Sequence, residues 1–315
     1  MKILILDGYT LFQEDIEWKI LEQFGTVEYH HRISKNSINE LDNDFDVIIT
    51  NKALVGKEEL SHFKKLQLII VSATGYNCVD IKSCAEKGIQ VSNVPAYGTF
   101  SAAQHTLSLL LHHSNHVALH DASVKSGAWA KCIDWTYTLA PIREWEGKTL
   151  GIIGMGNIGS CFAGMAESMG MKVIYHHTRD LQLPNRKFAD INELASTSDV
   201  ISLHCPLNEK TEKLINKNFL SKTKENVVIL NTSRGGLIDA VDLRNYLLEH
   251  TSAAALLDVL EKEPPPVNHP LIGLPNATIT PHIAWISIEA RKRIFSTMIE
   301  ILNFYKNGEP LNRVN

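Results

Sequence analysis

At 315 residues the chain is long enough for two domains with cores of their own, and 44% hydrophobic with 21% charged residues is the balance of a soluble globular protein. A formal net charge of −4 without a Lys/Arg block argues against a nucleic-acid footprint. No apolar run approaches the ~20 residues of a membrane span, and Cys78, Cys84, Cys132, Cys161 and Cys205 lack CxxC spacing and read as reduced thiols in a cytoplasmic protein.

The chain opens on "MKILILDGY", whose apolar run is too short for a signal peptide and reads as a buried strand over 2–6. Further strands are predicted at "TVEYH" (26–30), "DVIIT" (46–50), "LIIVS" (68–72) and "QVSNV" (90–94), with helix-like segments such as "EDIEWKILEQF" (14–24) between some of them. Strands alternating with helices imply a parallel sheet covered on both faces. A long helical stretch (99–127) follows, then an aromatic loop, "AWAKCIDWTYTLAPIREWEG".

At Thr149 the alternation restarts with "TLGII", "KVIYH", "DVISLHCP", "VVILNTSRGG" and "SAAALLDVL", a second doubly wound sheet from about 98 to 285. The last helical pattern (287–308) has no strand of its own to cover there and is expected to return to the first domain. The expected fold is α/β with two doubly wound parallel-sheet domains. Residues 1–97 with 286–315 form one, residues 98–285 the other, with crossings near 93–97 and 281–285 and a ligand cleft between them.

The glycine pattern "GMGNIG" (154–159) lies directly between a strand and a helical pattern, the setting that turns a weak motif into a dinucleotide fingerprint. Gly154 permits the tight turn, Gly156 lets backbone approach a pyrophosphate, and Gly159 lets helix and strand pack closely. The N–H groups of Asn157, Ile158 and Gly159 then face the phosphate at the helix N-terminus. About 20 residues on, where an acid would bind the ribose of NAD, stand His177, Thr178 and Arg179. Either the fingerprint is a decoy, or the cofactor is different or less strictly chosen.

Arg234, Glu263 and His282 follow strands of the second series. Alone, each has a bland explanation as a turn cap, a solvated loop acid or a hinge histidine. Together they fall at the carboxyl ends of strands, where open α/β sheets bind ligands. Their chemistry is also complementary: an arginine that forks a carboxylate or polarises a carbonyl, a proton-shuttling histidine, and a carboxylate that orients it. His112, His116 and His120, at helical spacing, read as a polar face, and no metal is expected.

The segments "VSATGYNCVD", "NVPAYGTFSAAQHTLSLLL", "TLGIIGMGNIGS", "DVISLHCPLNEKT", "VVILNTSRGGLID", "ALLDVLEKEPP" and "ITPHIAW" resemble, in this order, the D-isomer-specific 2-hydroxyacid dehydrogenase family along nearly the whole chain. The resemblance implies a flavodoxin-like substrate domain, a Rossmann NAD(P) domain, and a homodimer packed through the cofactor domain and the 99–145 region. It assigns Arg234 to binding and polarising the 2-keto acid, His282 to acid/base work and Glu263 to pairing with it. It places Asp258 near the nicotinamide and Thr74 with Gly75 at the substrate carboxylate. Thr99, Cys205, Pro206, Thr211, Thr232 and Ser233 join the cofactor set on the same basis.

"PHIAW", "ITNKAL" and "CIDWTYTLAPI" are similar to the glycerate dehydrogenase, or hydroxypyruvate reductase, group, implying hydroxypyruvate and glyoxylate as substrates and bringing in Trp285; Lys52 reads either as a substrate contact from the first domain or as an exposed loop lysine. Alternatives within reach of the fold are a D-lactate-type dehydrogenase and a dinucleotide-sensing corepressor-like binding protein. With the downstream set in place the fingerprint is no decoy. His177 leaves nothing to repel a 2′-phosphate and Arg179 is placed to bind one, so NADP is expected to be accepted and NAD not excluded.

Overall fold

The structure, a computed structural model, describes residues 1–12, 15–33 and 35–315. Five strands come first: β1 (Lys2–Ile5), β2 (Thr26–Tyr29), β3 (Val47–Thr50), β4 (Leu68–Val71) and β5 (Gln90–Asn93). Helices α1 (Lys57–His62) and α2 (Ile81–Glu86) lie among them, and α3 (Thr99–Asn115) and α4 (Val117–Lys125) follow. The second series is β6 (Thr149–Ile153), α5 (Asn157–Ser168), β7 (Lys172–His176), β8 (Lys187–Phe188), α6 (Ile191–Thr197) and β9 (Val200–Leu203). It continues through α7 (Lys217–Leu220), β10 (Val228–Asn231), α8 (Ala240–Glu249), β11 (Ala254–Leu257) and β12 (Ala277–Ile279), and α9 (Ile288–Lys306) ends the chain's helices. Two compact units result, Met1–Gly98 with Ile286–Asn315, and Thr99–Trp285.

In the first unit all strands are parallel, in the order β2-β1-β3-β4-β5. Every residue of "VIIT" and "LIIV" is buried, as a sheet covered on both faces requires. The α9 helix buries Ala290, Ile294, Met298 and Ile301, one apolar stripe at helical spacing. Ser287 caps it by accepting from the Ala290 N–H. Phe295 meets Phe12 edge-on at 5.8 Å, and the buried Arg291 pairs with Asp15 at 2.5 Å. The helix expected over 14–24 is a 3₁₀ helix over Trp18–Phe24, and Glu14 lies outside the described residues. Its buried residues, Leu21 and Phe24, stand three apart, which suits the three-residue turn.

In the second unit the parallel order is β12-β11-β10-β9-β6-β7-β8, so the chain reverses direction across the sheet between β6 and β9. Alternate residues of the central strands enter opposite cores. Leu230 and Leu256 join the Phe162 cluster under α5, while Ile229 and Leu257 join the Leu243 cluster under α8. The stretch 99–127 is two helices rather than one, because His116 adopts a left-handed backbone (φ 49°) between them. His112, His116 and His120 therefore share no continuous helical face. His120 is used locally, accepting from the Leu139 N–H at 3.1 Å.

Candidate active site

The fingerprint loop leaves β6 at the sheet's reversal point. Gly154 has φ +98°, and a Cβ there would stand 2.5 Å from the Cys205 backbone nitrogen. Only glycine allows this turn to lie against the exit of β9. A Cβ on Gly159 would come 2.3 Å from the Gly154 carbonyl, so that glycine sets the approach of α5 to the strand. Around Gly156, in contrast, a Cβ would meet nothing within 4 Å. That open space, beside the first N–H groups of a 12-residue helix, fits a dinucleotide pyrophosphate.

Beyond β7, His177 is half-buried and Thr178 and Arg179 are exposed. The Thr178 hydroxyl lies 3.3 Å from His177 Nδ1. Arg179 makes no hydrogen bond or ion pair with a described residue. The nearest acid in sequence, Asp180, is occupied: it accepts from the Tyr175 hydroxyl at 2.6 Å and from the Gln182 N–H at 2.8 Å. The Tyr175 hydrogen bond, with the Gln182 N–H, holds the Asp180 carboxyl below the usual range. No carboxylate therefore takes the place of the ribose acid among residues 177–179.

The loops after β10, β11 and β12 carry Arg234, Asp258 with Glu263, and His282 on one edge of the sheet. Arg234 is exposed, and its Nη1 donates to the neighbouring Ser233 carbonyl at 2.7 Å. Asn231 ties the loop by donating to the Arg234 carbonyl, and a Cβ on Gly235 would collide with the Leu260 backbone at 1.9 Å. His282 Nδ1 lies 2.6 Å from Glu263 Oε2, while Glu263 Oε1 accepts from the Leu260 N–H at 3.0 Å. Burial works to raise the Glu263 carboxyl, but the hydrogen bond and charge of His282 prevail and hold it below the glutamate range. Arg234 forms no hydrogen bond with either residue.

His282 itself sits at φ 54°, a strained conformation for a residue with a side chain. Asp258 holds it there. The Asp258 carbonyl accepts from the His282 N–H at 2.8 Å, and its fully buried carboxylate accepts from the N–H groups of Ile283 and Ala284 and from the Thr280 hydroxyl. Burial pushes the Asp258 carboxyl up, yet the bonds from His105, Thr280 and the two amides outweigh it and keep the group ionised. Asp258 is thus the anchor of the His282 loop, a role the sequence did not disclose.

The other cofactor-set residues fall on the same edge. Cys205 is buried, and its carbonyl accepts from the Ser233 hydroxyl at 2.9 Å. The Thr211 hydroxyl donates to the Pro206 carbonyl at 2.7 Å and accepts from the Asn208 N–H, so it staples its own loop. Thr232 meets Thr106 at 2.8 Å, Thr99 opens α3, and Trp285, half-buried, ends the second unit. In the first unit, Lys52 follows β3 and Thr74 with Gly75 follows β4, neighbouring strands. The Asp7 carboxylate, buried at the end of β1, accepts from the N–H groups of Asn51, Lys52 and Ala53 and fixes the Lys52 loop. An acid directly after an apolar strand ("KILILD") was the available signal for it. Thr74 donates to the Val94 carbonyl at 3.1 Å.

Residues 107–284 match the family described as D-isomer specific 2-hydroxyacid dehydrogenase, NAD binding domain. A hydroxypyruvate reductase of Blautia hydrogenotrophica is 40% identical, with all of both chains covered. Among solved structures, the TT0316 protein of Thermus thermophilus superposes with a TM-score of 0.89 at 33% identity over the full length of both chains. An acyclic imino acid reductase, Bsp5, solved with NADPH and D-Arg, gives 0.85 at 31% identity, again over both whole chains.

Proposed function

Since the chain belongs to the D-isomer specific 2-hydroxyacid dehydrogenases, an NAD-binding oxidoreductase family, we propose that it reduces small 2-keto acids, hydroxypyruvate and glyoxylate foremost, to D-2-hydroxy acids. The reaction is reversible. The observation that carries this reading is the His282–Glu263 hydrogen bond, standing on the same sheet edge as Arg234 and the glycine fingerprint. The hydroxypyruvate reductase relative supports the choice of substrate.

The bound nicotinamide supplies the hydride. Gly154, Gly156 and the N–H groups of Asn157, Ile158 and Gly159 would hold its pyrophosphate, and His177, Thr178 and Arg179 would meet the adenosine ribose. Arg234 binds the keto acid and stabilises negative charge as it develops on the keto oxygen. His282, protonated and oriented through Nδ1 by Glu263, donates from Nε2 to that oxygen. In the reverse direction neutral His282 takes the proton from the hydroxyl. Thr74, Gly75 and Lys52 are assigned to the substrate in the first unit. The absence of an acid at 177–179 supports use of NADPH as well as NADH, as does the NADPH bound in the imino acid reductase.

The same reading includes a cytoplasmic homodimer. In the 99–145 region Phe100, Val117, Trp129, Ile133, Trp135 and Ile142 are exposed, Ile133 fully and Trp135 at 86%, a surface suited to a second copy. No described helix is long and apolar enough to cross a membrane. The test is NADH and NADPH oxidation at 340 nm with a panel of 2-keto acids. Turnover of hydroxypyruvate and glyoxylate is expected. A clear preference for pyruvate would replace the substrate assignment with a D-lactate type, and no turnover with any keto acid would favour a dinucleotide-sensing binding protein.

A further inference from the structure

The α3 helix packs across β10 and β11, the strands whose loops carry Arg234 and Glu263. Two adjacent residues on it, His105 and Thr106, each touch a threonine that stands two positions before a candidate catalytic residue. His105 Nε2 lies 3.0 Å from the Thr280 hydroxyl, ahead of His282. The Thr106 hydroxyl lies 2.8 Å from that of Thr232, ahead of Arg234. One turn earlier, on the His105 face, Ser101 donates to the Ala284 carbonyl at 2.6 Å. The helix therefore grips the His282 loop on both sides and the Arg234 loop once.

Proton counting fixes the direction of these bonds. The Thr280 hydroxyl has one hydrogen, committed to Asp258 Oδ1 at 2.5 Å, so His105 Nε2 must be the donor to Thr280. The same Nε2 is 3.5 Å from Asp258 Oδ1, and its N–H helps to balance a carboxylate with no exposed surface. Thr106 commits its hydrogen to the Ala102 carbonyl at 2.8 Å, so Thr232 donates to Thr106. Thr106 is itself fully buried, and His105, Thr232 and Thr280 are half-buried.

We propose that His105 and Thr106 are positioning residues that set the placement of His282 and Arg234 from one rigid helix. His105 acts through Thr280 and Asp258 on the strained His282 backbone and thereby on its bond to Glu263. Thr106 acts through Thr232 on Arg234. The two arms have different signatures, because one governs a proton and the other a substrate contact. The inference rests on the reductase reading above.

The test uses the full-length protein, with hydroxypyruvate and NADH. His105→Leu is expected to lower kcat about 10- to 100-fold with little change in KM. It should also move the alkaline limb of the reductive pH profile downward, the shift expected of Glu263→Gln once the charge beside His282 is removed, and the double variant should move it no further. His105→Gln, which keeps an N–H donor, should recover most of the loss. Thr280→Val, nearly isosteric, should reproduce the His105→Leu limb shift and serves if that variant does not fold, as judged by thermal midpoint and NADH fluorescence. Thr106→Val should raise the keto-acid KM severalfold and leave the limb in place. Folded His105→Leu and Thr280→Val variants with the wild-type limb would overturn the proposal, as would fully additive shifts with Glu263→Gln. Wild-type protein that reduces no keto acid would instead overturn the reductase reading.

Discussion

His282 Nδ1 stands 2.6 Å from Glu263 Oε2, and the Glu263 carboxyl is held below its ordinary value of 4.5 by that contact. The depressed value fixes a sign. The carboxylate persists as pH falls to its folded pKa, so the acid limb of keto-acid reduction should lie below pH 4.5. The alkaline limb marks loss of the proton that keto-acid reduction consumes. Glu263→Gln removes the charge that favours the imidazolium and keeps the approximate shape. It should abolish the acid limb and move the alkaline limb to lower pH, with the limb for hydroxy-acid oxidation moving the same way. Profiles of kcat/KM in both directions decide this, and an alkaline limb that stays or rises would remove Glu263 from its role.

Arg179 is exposed and without a partner among the described residues, and Asp180 is turned to Tyr175. Arg179→Ala should raise the KM for NADPH roughly ten- to a hundredfold more than that for NADH, the worth of a charge-assisted phosphate contact. His177→Asp should shift preference toward NADH. Equal effects on both cofactors would show that the loop does not read the 2′-position.

Trp285 follows Ala284, whose N–H is clamped by Asp258, and it ends the second unit. We propose that Trp285 walls the substrate pocket, where its flat face would suit a hydroxymethyl side chain and crowd a bulky one. Trp285→Ala should improve kcat/KM for larger keto acids relative to hydroxypyruvate. Unchanged ratios across a size series would contradict this.

Gly235 lies where a Cβ would meet the Leu260 backbone at 1.9 Å. Backbone cannot rotate away as a side chain can, so Gly235→Ala must displace the loop that bears Arg234. A loss of about 1–3 kcal/mol in stability is expected, together with a fall in kcat/KM. Denaturant unfolding and kinetics on the same sample would measure both, and a neutral substitution would mean that the loop is free to yield.

His204, half-buried with its ring against Phe162 and bonded to the Ser202 hydroxyl at 2.8 Å, has its pKa pushed down to about 4 by desolvation. The folded state therefore binds fewer protons there than the unfolded chain. Its contribution to stability is whole above the unfolded value of 6.5 and is lost as pH falls through about 4. Denaturation midpoints should drop between those pH values, and His204→Gln should flatten part of the slope.

The long apolar strands and the glycine turn were readable because each is a local pattern: complete burial of "LIIV" and a fingerprint at a strand end leave marks in consecutive residues. Other features rest on distant partners. The two-residue β8 and the three-residue β12 are too short to show a period, and they exist because β7 and β11 offer open edges. The break at His116 has no proline or glycine to announce it. The positions of Arg234, Glu263 and His282 were legible from the ends of predicted strands. The hold of Asp258 on the 280–284 loop was not, since it spans more than twenty residues and is made largely to backbone.

The discontinuity of the first unit also orders its biosynthesis. All five of its strands leave the ribosome before Thr99, but the apolar face of α9, with Ile294, Met298 and Ile301, arrives only after the whole second unit has been made. At ~5–20 residues per second that is a delay of roughly 10–40 s. Through that interval Phe12 and Asp15 lack their α9 partners, Phe295 and Arg291, while the continuous Thr99–Trp285 unit has every residue it needs. The later-made unit is therefore the first able to finish folding.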